Sequence, residues 1–400
     1  MKKILSTLLI SFLLFAGCKE SKDEPNPIPA DKKNVKQVTL VYAVNYGNGL
    51  ASALTLNENQ MIDALGKIDN GEDVIYLFKT YKNSNGDIVS GLFKAVQGSD
   101  AEFILEKEYD RNLLPTDPKR MKDIIDEVLK EKGDIYNLFL WGHGMSWTPY
   151  FSDHTATRSI SVESVDINSG DFPEVAAFGG DNSRDWMDID ELKEAIPDQT
   201  FETIWFDCCY MSNIETVYEL RNKCKWMVAY PTEIASDGLP YDEVLPYVLK
   251  DEKDLVGAAQ ALYDHYDARR IAVTVAVMDM SKIAGVADAC HAVYTFGDKR
   301  PESYGLQNYS RSSGNPYYDF GQYVREYAQA NDSESLLKKF ESAMNEFVIY
   351  SVASDRDFNG KAIIKDNYSG VSTHLFKDSQ TKKDDYYKTL DWYKATYVAE

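Results

Sequence analysis

The side chains that could do chemistry lie in two short segments. Trp141-Gly142-His143-Gly144 closes the apolar run Ile135–Trp141, and Phe206-Asp207-Cys208-Cys209-Tyr210-Met211 follows the apolar residues 203–206. Each run reads as a buried strand that ends in a reactive group. A histidine and a cysteine at neighbouring strand ends supply a proton shuttle and a thiol nucleophile. The chain has few candidates for either role, with five His and five Cys. Imidazole titrates near neutrality, which suits His143 to acid–base work. The cysteines precede a segment of helical pattern, whose positive end would favour a thiolate. Gly144 leaves its N–H unobstructed as an oxyanion donor, with the nucleophile's own N–H as a second. On spacing alone, Cys208 and Cys209 are equally placed. Either segment by itself reads more simply as core, and it is the combination that favours chemistry.

The flanking pattern supplies elements to hold these segments. Residues 37–44 form a β-rich run before the polar turn 45–49. Met61, Ile62, Leu65 and Ile68 recur at helical spacing. Residues 74–78 and 88–95 flank Asn85-Gly86, a hairpin signal. Asp117-Pro118 opens a helix whose one face carries Met121, Ile124, Ile125, Val128 and Leu129. Residues 145–186 show little periodicity, as functional loops do. A short helix is expected over 188–196, and Ser212 with Glu215 reads as a capping box for the next. Strands follow at 226–230 and 271–278 and a helix at 281–296. Beyond them, helices are expected over 317–330, 333–352 and 384–397, and strands over 362–365 and 370–376. Strands alternating with helices predict an α/β fold with a mostly parallel sheet flanked by helices.

The N-terminus has a different character. Lys2 and Lys3 precede an apolar stretch over 4–15 that is too short to anchor as a helix. Phe15-Ala16-Gly17-Cys18 resembles a bacterial lipobox, with Phe15 where Leu is usual, so Cys18 is the expected lipidation site. Residues 19–34 are polar and Pro-bearing and read as a flexible tether. Cys18-Lys19-Glu20-Ser21-Lys22-Asp23-Glu24 resembles the acidic export tags of outer-membrane surface lipoproteins. The expected organisation is a signal peptide at 1–17, a lipidated tether at 18–34, a catalytic domain at 35–300 and a C-terminal α/β extension at 301–400. A monomer exported to the outer membrane, its surface included, is expected. The net charge of −21 over 400 residues argues against a nucleic-acid partner. Cys208, Cys209, Cys224 and Cys290 are too few for a disulfide scaffold.

The two reactive segments resemble the clostripain family of cysteine endopeptidases, which belongs with caspases, legumain and gingipains. That family has His-Gly after one strand and Asp-Ala-Cys-Leu-Met after the next. Asp207-Cys208-Cys209-Tyr210-Met211 is similar to the second, with Cys209 in the nucleophile's place and Cys208 in that of Ala. Trp141-Gly142-His143-Gly144-Met145-Ser146-Trp147 is similar to His-Gly-x-Gly-Trp, with Ser146 for the second Gly. Weaker matches are residues 40–45, Glu233 with Gly238-Leu239-Pro240-Tyr241, where Leu239 replaces Trp, and Gly370-Val371-Ser372. The resemblance implies a caspase-like three-layer sandwich and cleavage of proteins or peptides after Arg or Lys. Asp207, two residues before Cys209, would project beside it as the acid of the S1 pocket. Asp237 is a candidate second acid or a loop cap. Family members often cut themselves between the two motifs. Residues 145–186 hold two basic residues, Arg158 and Arg184, and Arg158 is the expected cut. No cofactor is required. Some members need calcium; this sequence shows no EF-hand spacing and neither requires nor excludes a structural Ca²⁺.

Two other classes compete. One is a surface lipoprotein that kept the fold, lost catalysis and binds peptide or glycan; the retained His143, Cys209 and Asp207 weigh against it. The other, a disulfide oxidoreductase, is poor because adjacent cysteines strain a disulfide and Cys-x-x-Cys is absent.

Overall fold

A computed structural model describes residues 35–45, 49–68, 72–98, 101–110, 112–148, 178–180, 186–309, 317–377 and 382–398. Nine strands build one sheet: β1 (Gln37–Ala43), β2 (Val74–Lys82), β3 (Ile88–Val96), β4 (Ile104–Tyr109), β5 (Ile135–Trp141), β6 (Phe201–Asp207), β7 (Cys224–Ala229), β8 (Thr274–Asp279) and β9 (Val348–Ala353). Their spatial order is β9-β8-β7-β6-β5-β1-β2-β3-β4. The five central strands, β7 to β2 in that order, run parallel, and the pairings outside them on both flanks are antiparallel.

Strand periodicity sorts side chains onto two buried faces. Leu138, Leu140, Ile204 and Phe206 face one way, Phe139, Trp141 and Trp205 the other. The second face is covered by α1 (Ala51–Leu65), through Leu54 and Met61. The first is covered by α2 (Pro118–Val128), α3 (Ile189–Ala195) and α4 (Ile214–Glu219), through Ile124, Leu192 and Val217. α5 (Tyr241–Val248) and α6 (Leu255–Asp267) join α1. α7 (Ile283–Phe296), α8 (Phe320–Ala330), α9 (Glu334–Phe347), α10 (Lys382–Tyr387) and α11 (Asp391–Tyr397) complete the first face. The result is the three-layer α/β sandwich the sequence implied. Residues 35–400 form one compact unit. Its last hundred residues contribute the edge strand β9 and the helices α8 to α11.

Several expectations change. The helix expected over 333–352 stops at Phe347, because Val348 and Val352 are β-branched and pair with β8 instead, Ile349 falling at a register shift between them. No strand forms over 362–365, where the chain makes one bridge, Arg356 to Ala362, and then a short 3₁₀ turn. The strand expected at 370–376 shrinks to Ser372–Thr373. The helix at 384–397 is two, α10 and α11. The capping box of Ser212 with Glu215 does not form. Asn213 caps α4 by accepting from Thr216 N at 3.5 Å, while Ser212 Oγ donates to Gly370 O and the Glu215 carboxylate turns to the C-terminal segment. β4 was not expected; it forms on the outer edge of β3 with most of its residues exposed.

Candidate active site

Neighbouring strands bring the two segments together. β5 and β6 pair in parallel with Trp141 opposite Asp207, and Gly142 N donates to Asp207 O at 3.4 Å. His143 and Cys209 each lie two residues beyond this paired position. Both therefore leave the carboxyl ends of adjacent strands, where open α/β sheets place their ligands.

The segments then touch. A Cβ built on Gly144 would stand 2.5 Å from Cys209 O and 3.1 Å from Cys208 Sγ, so only glycine allows this approach. The two thiols differ. Cys208 is fully buried, and burial pushes its thiol well above the ordinary range. Cys209 is half-buried, and its Sγ accepts from Ile234 N at 3.4 Å. Tyr210, the next residue, sits at φ 60°. This left-handed backbone for a bulky residue is the kind of local strain found at functional turns. Tyr210 N donates to Thr232 O at 3.0 Å, which fixes the turn against the end of β7.

His143 and Gly144 pair with Phe178 and Gly179, which pair in turn with Trp186 and Met187. The imidazole lies beside the Trp186 ring, with centroids 6.2 Å apart. Ser146 stands at φ 70°, a conformation that suits the glycine found there in the similar motif. Its hydroxyl is 3.2 Å from Thr216 Oγ1 of α4. Tyr317 OH donates to Met145 O at 2.6 Å. Trp147 is fully buried against His374, Tyr386 and Tyr387.

Asp207 is enclosed on the face of α1, α5 and α6. Its Oδ2 accepts from Leu239 N at 3.2 Å and Tyr241 OH at 3.0 Å, while Oδ1 is buried without a hydrogen-bond partner. Burial pushes its carboxyl up to about 7, against the two hydrogen bonds. Asp237 is exposed in the turn before Gly238, and its carbonyl accepts from Asn57 Nδ2. Cys18, Arg158 and Arg184 lie outside the described residues. Among the described residues, no three His, Cys, Asp or Glu side chains could hold a metal ion, and no helix is long and apolar enough to cross a membrane.

The sequence pattern of the clostripain family, peptidase family C11, matches residues 51–400. The chain belongs to the clostripain family. It is a cysteine peptidase with the caspase-like sandwich. It is similar to a secreted C11 cysteine protease from Bacteroides thetaiotaomicron bound to an irreversible peptide inhibitor, at 22% identity and a TM-score of 0.73. That match covers 90% of this chain and 98% of the other, and at this identity it is a likeness of fold. It is also similar to an inactive zymogen C11 protease from Parabacteroides distasonis, at 26% identity and a TM-score of 0.72, over 91% and 98% of the two chains. No curated protein matches the chain.

In this clostripain-family chain the late segment Gly370-Val371-Ser372 braces the cysteine turn. Ser372 N donates to Ser212 O at 2.8 Å, and Asn213 Nδ2 reaches Ser372 Oγ at 3.3 Å. Glu215 Oε1 accepts from Thr373 Oγ1 at 2.8 Å, His374 N at 3.0 Å and Tyr387 OH at 3.2 Å. His374 and Tyr387 are also walls of the Trp147 box. The helix after the cysteines thus supports the histidine turn through the C-terminal segment. Asn57, Glu215 and Thr216 escaped the sequence reading as site residues. The one available signal for Glu215 was a carboxylate three residues after Ser212, and it pointed to a cap.

Proposed function

We propose that this peptidase is an endopeptidase that cleaves protein and peptide chains after Arg or Lys. Cys209 is the nucleophile and His143 the acid–base. The thiolate adds to the scissile carbonyl, and the oxyanion is met by the N–H groups of Gly144 and Cys209. His143 gives a proton to the leaving amine, which departs as the C–N bond breaks. Water, deprotonated by His143, then hydrolyses the thioester and restores the thiol. Asp207 is the S1 acid that takes the basic side chain, with Asp237 at the rim.

The observation that carries this reading is the difference between the two thiols. Cys208 is sealed in the core, whereas Cys209 stands half-exposed where Gly144 meets its carbonyl. On the same reading Cys18 is lipidated, the chain is tethered to the outer membrane through 19–34, and maturation cuts after Arg158. The test is a set of fluorogenic peptides with Arg, Lys or Ala before the scissile bond. Wild type should cleave the first two, and Cys209→Ala or His143→Ala neither. Equal cleavage of the Ala peptide would remove the basic preference. No cleavage, with no labelling by a thiol-directed peptide, would favour a binding protein that has lost catalysis.

A further inference from the structure

We propose that Tyr241 is the positioning residue of the specificity site, its hydroxyl holding one oxygen of Asp207 and leaving the other, buried and without a hydrogen-bond partner, to accept from the guanidinium or ammonium group of the substrate. This rests on the assignment of Asp207 to S1. Tyr241 is the first residue of α5, is fully buried, and packs its ring 5.8 Å from that of Phe139. Both donors that reach the carboxylate, Tyr241 OH and Leu239 N, reach Oδ2, and Oδ1 has none.

The turn carrying these donors is pinned from two sides. A Cβ on Gly238, at φ 67°, would stand 2.9 Å from Asp207 Oδ2, so the turn lies directly on the carboxylate. Asn57 of α1 donates from Nδ2 to Asp237 O at 2.9 Å and Leu239 O at 3.1 Å, and accepts from Trp141 Nε1 at 2.9 Å. The specificity turn is thereby tied to the strand that delivers His143.

A buried carboxylate oxygen without a donor is costly, and an arriving cation supplies a charge-assisted bond there. The titratable groups that face Asp207 are Tyr230, Tyr241, Tyr266 and Cys208. Burial raises all four above their ordinary values, so they stay neutral while the Asp207 carboxyl, at about 7, ionises. Donation from Tyr241 OH favours the ionised form, and its loss moves ionisation to higher pH.

The experiment compares two substrates alike except for arginine or its uncharged isostere citrulline before the scissile bond. Wild type, Tyr241→Phe and Asp207→Asn are assayed across neutral pH. Tyr241→Phe should lower the arginine-to-citrulline ratio of kcat/KM about tenfold. It should also move the acid limb of the arginine profile to higher pH and lower citrulline cleavage by a smaller factor than arginine cleavage. Tyr241→Met, a second variant without the hydroxyl, should do the same should the first fail to fold. An equal drop for both substrates, or an unmoved acid limb, overturns the proposal. If Asp207→Asn abolishes the arginine preference while Tyr241→Phe keeps it, the role of Tyr241 alone fails. If the preference survives Asp207→Asn, the S1 assignment fails and takes this one with it.

Discussion

Gly144 and Cys209 are in direct contact, the Cα of one packed on the carbonyl of the other, so that a single added carbon would sit 2.5 Å from Cys209 O. This contact sets the spacing between the histidine segment and the cysteine turn, and it involves main chain on both sides. The strand register that creates it, Trp141 opposite Asp207, leaves no room for adjustment by a side chain.

Gly144→Ala should therefore fold and fail. A displacement of about 1 Å at the reacting groups costs on the order of 10²-fold in rate. Circular dichroism should match wild type while kcat falls by about that factor. Activity within threefold of wild type would show that the site tolerates a wider gap.

The buried carboxyls predict how stability depends on pH. Burial raises Asp207 and Glu215 to about 7 and Asp319 to about 6, while unfolded carboxyls titrate near ~4. The folded state thus keeps protons that the unfolded state releases. Stability present below the unfolded values is lost as pH rises through 6 to 7. Glu131 acts below that window, because hydrogen bonds from Lys36 and Lys94 hold it down to about 2. Urea unfolding should give a falling stability across the window, and Glu215→Gln, which keeps an acceptor for Thr373, should flatten it. A rise over the same range would contradict the assignment.

Much of the frame was legible because it is local. The strand Ile135–Trp141, the hairpin at Asn85-Gly86 and the Asp117 cap followed from apolar runs, turn chemistry and a carboxylate that accepts from a backbone N–H two residues on. The site's support was not legible, because it is made by partners far apart in sequence. Asn57 meets a carbonyl 180 residues away, and Glu215 meets Thr373 across 158. Glu215 even misled, since its position fits a cap until a late segment claims its carboxylate. The helix expected through Val352 failed for another reason. Its amphipathic spacing continues past Phe347, but an open sheet edge at β8 offers β-branched residues a better partner.

Trp147 predicts the weight of the C-terminal support. It is fully buried among His374, Tyr386 and Tyr387, four residues beyond His143. Trp147→Ala should cost about 3–5 kcal/mol in urea unfolding. Where the variant is folded, kcat should fall more than KM rises, because the histidine turn loses its anchor while Asp207 keeps its own. A loss confined to KM would place Trp147 on the substrate side instead.

Cys209, and not its neighbour Cys208, is the proposed nucleophile. The most direct test of this is mass spectrometry of the protein after reaction with a thiol-alkylating peptide that ends in arginine. Wild type and Cys208→Ala should each carry one adduct, mapped to Cys209, and both should hydrolyse an arginyl substrate. Cys209→Ala should carry none and lose on the order of 10³-fold or more in rate. An adduct on Cys208, or turnover that survives Cys209→Ala and disappears in Cys208→Ala, would contradict the account.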